Sequence, residues 1–223
     1  MITCAHSSVK HIPYELRQGY EMLARQVALQ WGAMEHIEQL TRRESLRGVR
    51  QGLVDQLSEA ANFGEALTGR DLTIADLVRA DAAAARIDGQ TFVVGESPQA
   101  AQIGLFFDEL GGFGHGFLES EALSEDRPDL AEVLPFFAGV VVVPFGVPGN
   151  YLAWFRREQI YNVEWLGDQS ADNRLTPLSP RNSFAAWSES VSGRSLPWDE
   201  LELVEAAELS RDLDTVILSM PPS

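Results

Sequence analysis

The sequence has 223 residues, of which 45% are hydrophobic, enough for one sizeable core or for a domain with an appended helix. Its 17 lysines and arginines stand against 33 aspartates and glutamates, which gives a formal net charge of -16. This excess of negative charge argues against a nucleic-acid backbone or an anionic membrane as the main partner.

Cysteine content and apolar runs indicate a protein of the cytoplasm. The single cysteine, Cys4, excludes an internal disulfide framework and any metal site with several cysteines. The longest apolar run, residues 136–146, is too short to span a bilayer and is closed by Pro144 and Gly146. Residues 1–11 lack an apolar stretch of the length found in export signals. We therefore expect a soluble, cytoplasmic chain.

The N-terminal residues are typical of the end of a buried strand. Ile2 and Cys4 share one face of an extended segment, because strand side chains alternate. No sequence precedes this segment to form the rest of a sheet. We expect either an edge strand or, more in keeping with the pattern, a piece of a longer protein.

A long amphipathic helix, or two in line, is predicted from Pro13 to about Gly64. Proline suits the first turn because its missing N–H would be unpaired there. Apolar residues then recur at steps of three or four: Leu16, Tyr20, Leu23, Val27, Trp31, Met34 and Ile37, followed by Leu46, Val49, Leu53, Leu57 and Ala60. This stripe suits either a bundle helix or a spine that pairs with a second copy.

The middle of the chain predicts an antiparallel sheet crossed by a helix. Asp88-Gly89 between two short apolar runs is a hairpin signal. A helix is predicted over residues 97–111, a strand or connector over 115–123 and a polar excursion over 125–133. Further strands are predicted at 138–146, 150–158 and 160–165.

The C-terminal third predicts a polar loop and two helices. The first helix is placed from Ser183 to about Val191, and the second from Pro197 to about residue 220. The apolar stripe of the second helix is expected to be Leu201, Val204, Leu209, Leu213, Val216 and Ile217. The carboxylates of residues 199–208 are interpreted as solvated. The fold class is therefore α/β (α+β), with helices packed on a central antiparallel sheet.

Catalytic and metal-binding patterns are weak. Ser7 and Lys10 have a Ser-x-x-Lys spacing, but the partner motifs of a serine acyltransferase are missing. The glycine-rich residues 111–116 lack the lysine of a phosphate-binding loop. Cys4 and His6 have no third and fourth ligands at metal-ligand spacing. We expect no catalytic residues and no metal site.

Residues 178–190, LSPRNSFAAWSES, resemble the tongue of phytochromes, an arm of the phytochrome-specific (PHY) domain that reaches back onto the bilin-binding domain. The similarity consists of a Pro-Arg-x-Ser-Phe motif, a Trp-x-Glu motif and an upstream aromatic-glycine turn. It implies signalling roles for Trp165, Gly167, Pro180, Arg181, Ser183, Phe184, Trp187 and Glu189.

Residues 4–17 are similar to the last strand of the GAF bilin-binding domain and the start of its final helix. This resemblance places Cys4, Ala5 and His6 near the chromophore. Ala5 stands where phytochromes commonly carry a histidine. Since strand side chains alternate faces, His6 does not replace that histidine.

The resemblance implies a domain organisation. Residues 1–45 would be the end of the GAF domain, namely its last strand and final helix, and residues 46–223 a GAF-like PHY domain. The tongue, a hairpin arm, would occupy about 156–198, and an exit helix about 198–220.

The resemblance also implies a function. The chain would be a non-enzymatic relay of a red/far-red photoreceptor, whose full-length parent binds a biliverdin-type bilin and carries a kinase or another output domain. This chain itself would attach no bilin. Its partners would be the PAS–GAF part of the same receptor and a second copy, in a parallel homodimer formed by the long helices.

In phytochromes the counterpart of Arg181 pairs with a GAF-domain aspartate in the dark state. After photoconversion the arm refolds from hairpin to helix, and the counterpart of Ser183 takes over that contact. Two alternatives remain open from the residues alone. One is a free-standing GAF-like domain that senses a small ligand, and the other is an acidic hydrolase.

Overall fold

The structure is a computed structural model that describes residues 13–58, 60–95, 99–110, 116–159, 161–166, 186–191 and 193–219. It divides into two compact units, residues 1–45 and 46–223. Helix α1 is continuous over Tyr14–Ser58, which confirms the predicted long helix as a single element, although it ends before the predicted Gly64. The strand predicted around Cys4 and most of the glycine-rich stretch 111–116 lie outside the described residues.

The first unit exposes large apolar side chains along α1. Eleven of them are between 52% and 76% exposed: Tyr14, Leu16, Tyr20, Met22, Leu23, Val27, Leu29, Trp31, Met34, Ile37 and Leu40. All seven residues of the predicted stripe between Leu16 and Ile37 belong to this set. The helix therefore has apolar surface that nothing in its own unit covers.

The second unit is built on a five-stranded antiparallel sheet of order β2-β1-β5-β4-β3. Its elements are α2 (Phe63–Thr68), a 3-10 helix (Ile74–Asp76), β1 (Ala82–Ile87), β2 (Gln90–Val93), α3 (Ala100–Leu110), β3 (Leu118–Ser120), α4 (Leu123–Asp126), α5 (Pro128–Val133), β4 (Gly139–Pro144), β5 (Tyr151–Arg156), β6 (Tyr161–Leu166), β7 (Ala186–Val191) and α6 (Glu200–Ser219). Strands β6 and β7 form a separate two-stranded sheet. The predicted mixed class with a central antiparallel sheet is confirmed.

The central strands are buried on both faces. Val141 and Val143 of β4 pack with α6 residues and the end of α1, whereas Val140 and Val142 pack with α3 and α5. Successive strand residues point to opposite faces, so a strand covered on both sides is apolar throughout. This explains the unbroken valine run of the sequence.

The predicted hairpin between β1 and β2 is confirmed. Asp88 and Gly89 have φ of 49° and 79°, as a two-residue turn with two positive φ angles requires. Asn150 fixes the turn because its Oδ1 accepts the Asp88 N–H at 2.8 Å. The turns β1–β2 and β4–β5 are thereby joined at one end of the sheet.

Two predictions of secondary structure are wrong. The polar excursion at 125–133 forms the end of α4 and all of α5, with Pro128 in the first turn of α5 and Leu130 fully buried. The helix predicted from Ser183 to Val191 is replaced over its described part by β7, which pairs with β6. Pairing supplies the backbone hydrogen bonds that a helix would have made internally.

Candidate functional site

The predicted tongue residues divide between described and undescribed parts of the chain. Trp165 lies in β6, and Trp187 and Glu189 lie in β7. The remaining predicted site residues lie outside the described residues: Cys4, Ala5, His6, Gly167, Pro180, Arg181, Ser183 and Phe184.

Strands β6 and β7 form an antiparallel pair, which we call the ribbon. Its register places Trp165 opposite Trp187 and Val163 opposite Glu189. The residue pair nearest its base is Tyr161 and Val191. The structure therefore brings three predicted signalling residues, Trp165, Trp187 and Glu189, into one two-stranded sheet.

The chain segments that enter and leave the ribbon, residues 158–159 and 193–194, are hydrogen-bonded to each other. The Gln159 N–H donates to the carbonyl of Arg194 at 2.9 Å. The Gly193 N–H donates to Oε1 of Glu158 at 2.5 Å. These bonds hold the two segments together where they enter and leave the ribbon, so the ribbon has a defined base.

Residues 193–199, the return segment, lead from the ribbon to α6 along the edge of the main sheet. The Ser195 N–H donates to the carbonyl of Glu121 at 2.8 Å, and the indole N–H of Trp198 donates to the carbonyl of Ser120 at 2.9 Å. A Cβ built on Gly139 would lie 2.8 Å from Cβ of Ser195. The absence of a side chain at this glycine lets the return segment lie directly on β4.

Arg156, the last residue of β5, holds the return segment through hydrogen bonds of its guanidinium. Its Nε and Nη2 donate to the carbonyl of Arg79 at 2.8 and 2.6 Å. Its Nη1 donates to the carbonyls of Pro197 at 2.6 Å and Leu196 at 3.2 Å. The guanidinium also lies 4.0 Å from the ring centroid of Trp198, within the range of a cation–π contact.

Glu202 in the first turn of α6 completes this cluster. Its Oε2 lies 3.4 Å from Nη2 of Arg156 and accepts the Arg79 N–H at 3.2 Å. Burial lowers the pKa of the Arg156 guanidinium, and the charge of Glu202 opposes this change. An arginine stays protonated in such a site, so the guanidinium keeps its charge beside Glu202. We call Arg156, Glu202, Trp198 and the carbonyls of Arg79, Leu196 and Pro197 the Arg156 cluster.

A second charged cluster joins α6 to the end of α1. Nε of Arg50 donates to Oε2 of Glu205 at 2.8 Å, and Arg50 also pairs with Asp212. Nε of Arg47 lies 3.7 Å from Oε1 of Glu205. Burial lowers the pKa of Arg50, but the hydrogen bonds and charges of Glu205 and Asp212 outweigh it and raise the pKa overall.

The sequence-based description of α6 needs two corrections. Glu202 and Glu205, interpreted as solvated, are only 4% and 2% exposed. Val204, assigned to the buried stripe, is 48% exposed. The face that packs on the core consists of Leu203, Ala206, Leu209, Leu213 and Ile217, and this spacing is also visible in the sequence. Because Ala206 is small, the apolar repeat of this face is weaker than that of a face formed only by large residues.

Two clefts of about 270 and 370 Å³ flank the turn between β4 and β5. A free-standing ligand sensor would need a site of this size. Arg86, which lines the larger cleft, already donates to Oγ1 of Thr91 at 2.6 Å and pairs with Asp108. The cation in this cleft is thus engaged by the protein itself.

The described part of the chain holds neither a group of metal-ligating side chains nor a helix that could cross a membrane. There, no three His, Cys, Asp or Glu side chains come together in a group that could hold a metal ion. None of the helices that the structure describes combines the length and the apolar character needed to cross a membrane.

Known proteins resemble this chain over nearly its whole length. Residues 46–221 match the family described as the phytochrome region. Cyanobacterial phytochrome A of Nostoc sp. is 30% identical over 225 residues, and the match covers 98% of this chain but only 29% of that relative.

Two solved structures resemble the fold. A bacteriophytochrome from the photosynthetic bacterium R. palustris matches with a TM-score of 0.63 and 26% identity, over 96% of this chain and 44% of that one. The wild-type phytochrome photosensory core module of Stigmatella aurantiaca matches with a TM-score of 0.65 and 28% identity, over 97% and 44%. The matched proteins favour neither a free-standing ligand sensor nor a hydrolase.

Proposed function

The chain belongs to the phytochrome family, and from this membership we propose that it is the light-signal relay domain of a red/far-red bilin photoreceptor. The observation that carries the proposal is the match of residues 46–221 to the phytochrome region, together with a two-stranded ribbon inserted between β5 and α6. The ribbon contains the predicted residues Trp165, Trp187 and Glu189.

The partner that fits this role is the chromophore-binding PAS–GAF part of the same receptor. A biliverdin-type bilin would be bound there, in the cytoplasm, and not covalently by this chain. The residues assigned near the chromophore, Cys4, Ala5 and His6, lie outside the described residues, so no described side chain is assigned to hold it.

Residues of the tongue would carry the signal across this contact. In the dark state Arg181 would pair with a carboxylate of the chromophore domain. A guanidinium offers two parallel N–H donors to a carboxylate, and the ammonium of lysine does not. After illumination the arm would refold and Ser183 would replace Arg181 at that carboxylate.

A parallel homodimer would place the exposed stripe of α1 against a second copy. Its large side chains, among them Leu23 and Trp31, are 62% and 71% exposed in the isolated chain. Light scattering of the complete receptor tests this proposal, since a monomer at high concentration contradicts it.

The experiment for the proposed function replaces residues 161–191 by a short Gly-Ser linker in the complete, bilin-loaded receptor. We expect the dark absorbance spectrum to persist and the photoproduct to lose yield or stability, because the arm no longer contacts the chromophore domain. An unchanged photocycle would remove the ribbon from the signalling route. Binding of a small ligand at the β4–β5 turn by the chain alone would instead favour a ligand sensor.

A further inference from the structure

We propose that Arg156 is the positioning residue that couples the ribbon to α6. This inference rests on the proposed relay function and adds the residue through which movement at the base of the ribbon reaches the helix. The guanidinium holds the return segment through the carbonyls of Leu196 and Pro197, and it contacts α6 through Glu202.

Arg156 is well placed to act as a fixed point. It ends β5, which pairs with β1 on one side and β4 on the other, so its backbone belongs to the centre of the sheet. Its side chain is 10% exposed, and Nε and Nη2 share the carbonyl of Arg79. The guanidinium is therefore held by the sheet and by the loop before β1.

The moving partner would be the short connection between the ribbon and α6. Pro197 accepts from Nη1 only three residues before α6 begins at Glu200. Between them, Oδ1 of Asp199 accepts the N–H groups of Leu201 at 2.9 Å and Glu202 at 3.3 Å. This capping contact joins the connection to the helix, because it satisfies N–H groups that have no partner inside the helix.

A displacement of the return segment therefore has two consequences. If the segment leaves the guanidinium, Nη1 loses both carbonyl partners while the Glu202 contact stays buried. If the guanidinium follows the segment, it moves relative to Glu202 and shifts the first turn of α6. In the first case the cluster loses the bonds that hold the return segment beside α6, and in the second the start of α6 moves with the guanidinium.

Lysine at position 156 would retain the positive charge but could not donate to the same set of carbonyls. An ammonium is a compact group on a flexible stem and lacks the planar fork that reaches carbonyls on opposite sides. The adjacent Arg157 offers a matched control, because its side chain is exposed although it lies one residue closer to the ribbon.

The test compares the unsubstituted receptor with Arg156→Lys and Arg157→Lys, each complete and loaded with bilin. Hydrogen exchange is measured in the dark and under red light at the ribbon, residues 186–191, and at the first two turns of α6, residues 201–206. For Arg156→Lys we expect the photocycle and the exchange change at the ribbon to persist. The light-dependent change at α6 should fall by about fivefold or more, the lower range of site-to-site coupling. Arg157→Lys should leave both changes intact.

Each result separates the inference from the proposed function. No light-dependent change at either segment of the unsubstituted receptor would contradict the proposed function itself. A change at the ribbon without one at α6, or a full α6 response in Arg156→Lys, would overturn only the coupling role. If Arg156→Lys fails to fold, Glu202→Gln gives the same comparison. It preserves the shape of the helix side of the cluster, and a full α6 response in that variant overturns the inference.

Discussion

The guanidinium of Arg156 lies 4.0 Å from the ring centroid of Trp198, between the end of β5 and the segment that leads into α6. The indole N–H of the same tryptophan donates to Ser120 at the end of β3. The face of the Trp198 ring therefore contacts Arg156 of the central strand β5, and its N–H contacts the edge strand β3. Movement of the return segment has to disturb both contacts.

Removing the charge at position 156 should destabilise the domain strongly. Arg156→Met takes the positive charge from beside the buried carboxylate of Glu202, and we expect a loss of about 3–5 kcal/mol in the free energy of unfolding. The double variant Arg156→Met, Glu202→Gln should lose less than the sum of the single changes, since no buried charge is then left in the pair.

Urea unfolding of the four proteins of this cycle measures the coupling. Arg157→Met is the control, and as an exposed substitution it should change the free energy of unfolding by no more than about 0.5 kcal/mol. A cost for Arg156→Met no larger than that of Arg157→Met would contradict the buried ion pair.

Substitution of Gly139 tests whether the return segment lies directly on β4. Alanine there would place its Cβ 2.8 Å from Cβ of Ser195, so one of the two must shift. We expect Gly139→Ala to cost about 1–3 kcal/mol, as overpacking usually does. The double variant Gly139→Ala, Ser195→Gly should lose less stability than the sum of the losses of the two single variants. Thermal or urea unfolding measures these losses.

Gly116 is the control for this pair, because nothing lies within 4 Å of a Cβ built on it. Gly116→Ala should leave stability nearly unchanged. Equal costs for the two glycine variants would show that the return segment does not lie on β4.

Glu119 gives a pH-dependent prediction. Partial desolvation on β3, with a smaller contribution from the charge of Glu121, raises the pKa of the Glu119 carboxyl above its ordinary value of 4.5, although the residue is largely exposed. Folding therefore favours the protonated form. The contribution of this group to stability is complete below the unfolded pKa and is lost as the pH rises through the folded pKa.

Glu119→Gln should accordingly raise the free energy of unfolding slightly at about pH 7, because solvent screens an exposed carboxylate, and the advantage should shrink towards about pH 4. Urea unfolding at both pH values measures it, with Glu132→Gln on α5, a second exposed glutamate, as the control. An advantage that grows on acidification would mean that the carboxylate is stabilised by the fold.

The sequence predicts the local elements of this domain well and its long-range contacts poorly. The valine run of β4, the Asp-Gly turn and the repeat of α1 are each visible within one segment. Arg156 looks like an ordinary polar residue at the end of a strand. Its partners Arg79 and Glu202 are distant along the chain, so no local pattern indicates their contact.

The same reason explains the two errors at the C-terminal end. Residues 186–191 have no strong helical or strand period, and pairing with β6 decides their conformation. The acidic start of α6 resembles a solvated face, but Glu202 and Glu205 are buried against the distant Arg156 and Arg50. For the candidate site, the motif predicted its residues, and the structure added the cluster at its base.

Arg181 should matter for the receptor and hardly for the stability of this chain. Its polar, proline-flanked sequence context predicts a contribution within the chain of about 0–1 kcal/mol even in a chance ion pair. Against a partly desolvated carboxylate of the chromophore domain, the same side chain would contribute far more. Arg181→Ala should therefore leave the thermal midpoint of this chain nearly unchanged and alter dark reversion or photoproduct yield of the complete receptor. Unfolding of the chain with an intact photocycle would contradict the tongue assignment.

We predict that light changes the conformation of the ribbon. The infrared difference spectrum of the complete, bilin-loaded receptor, light minus dark, measures this directly in the amide I region. We predict that strand intensity is lost and helix intensity is gained, and that this signal disappears when residues 161–191 are replaced by a short Gly-Ser linker. A spectrum without an amide I change, or a change that survives the replacement, would contradict the claim.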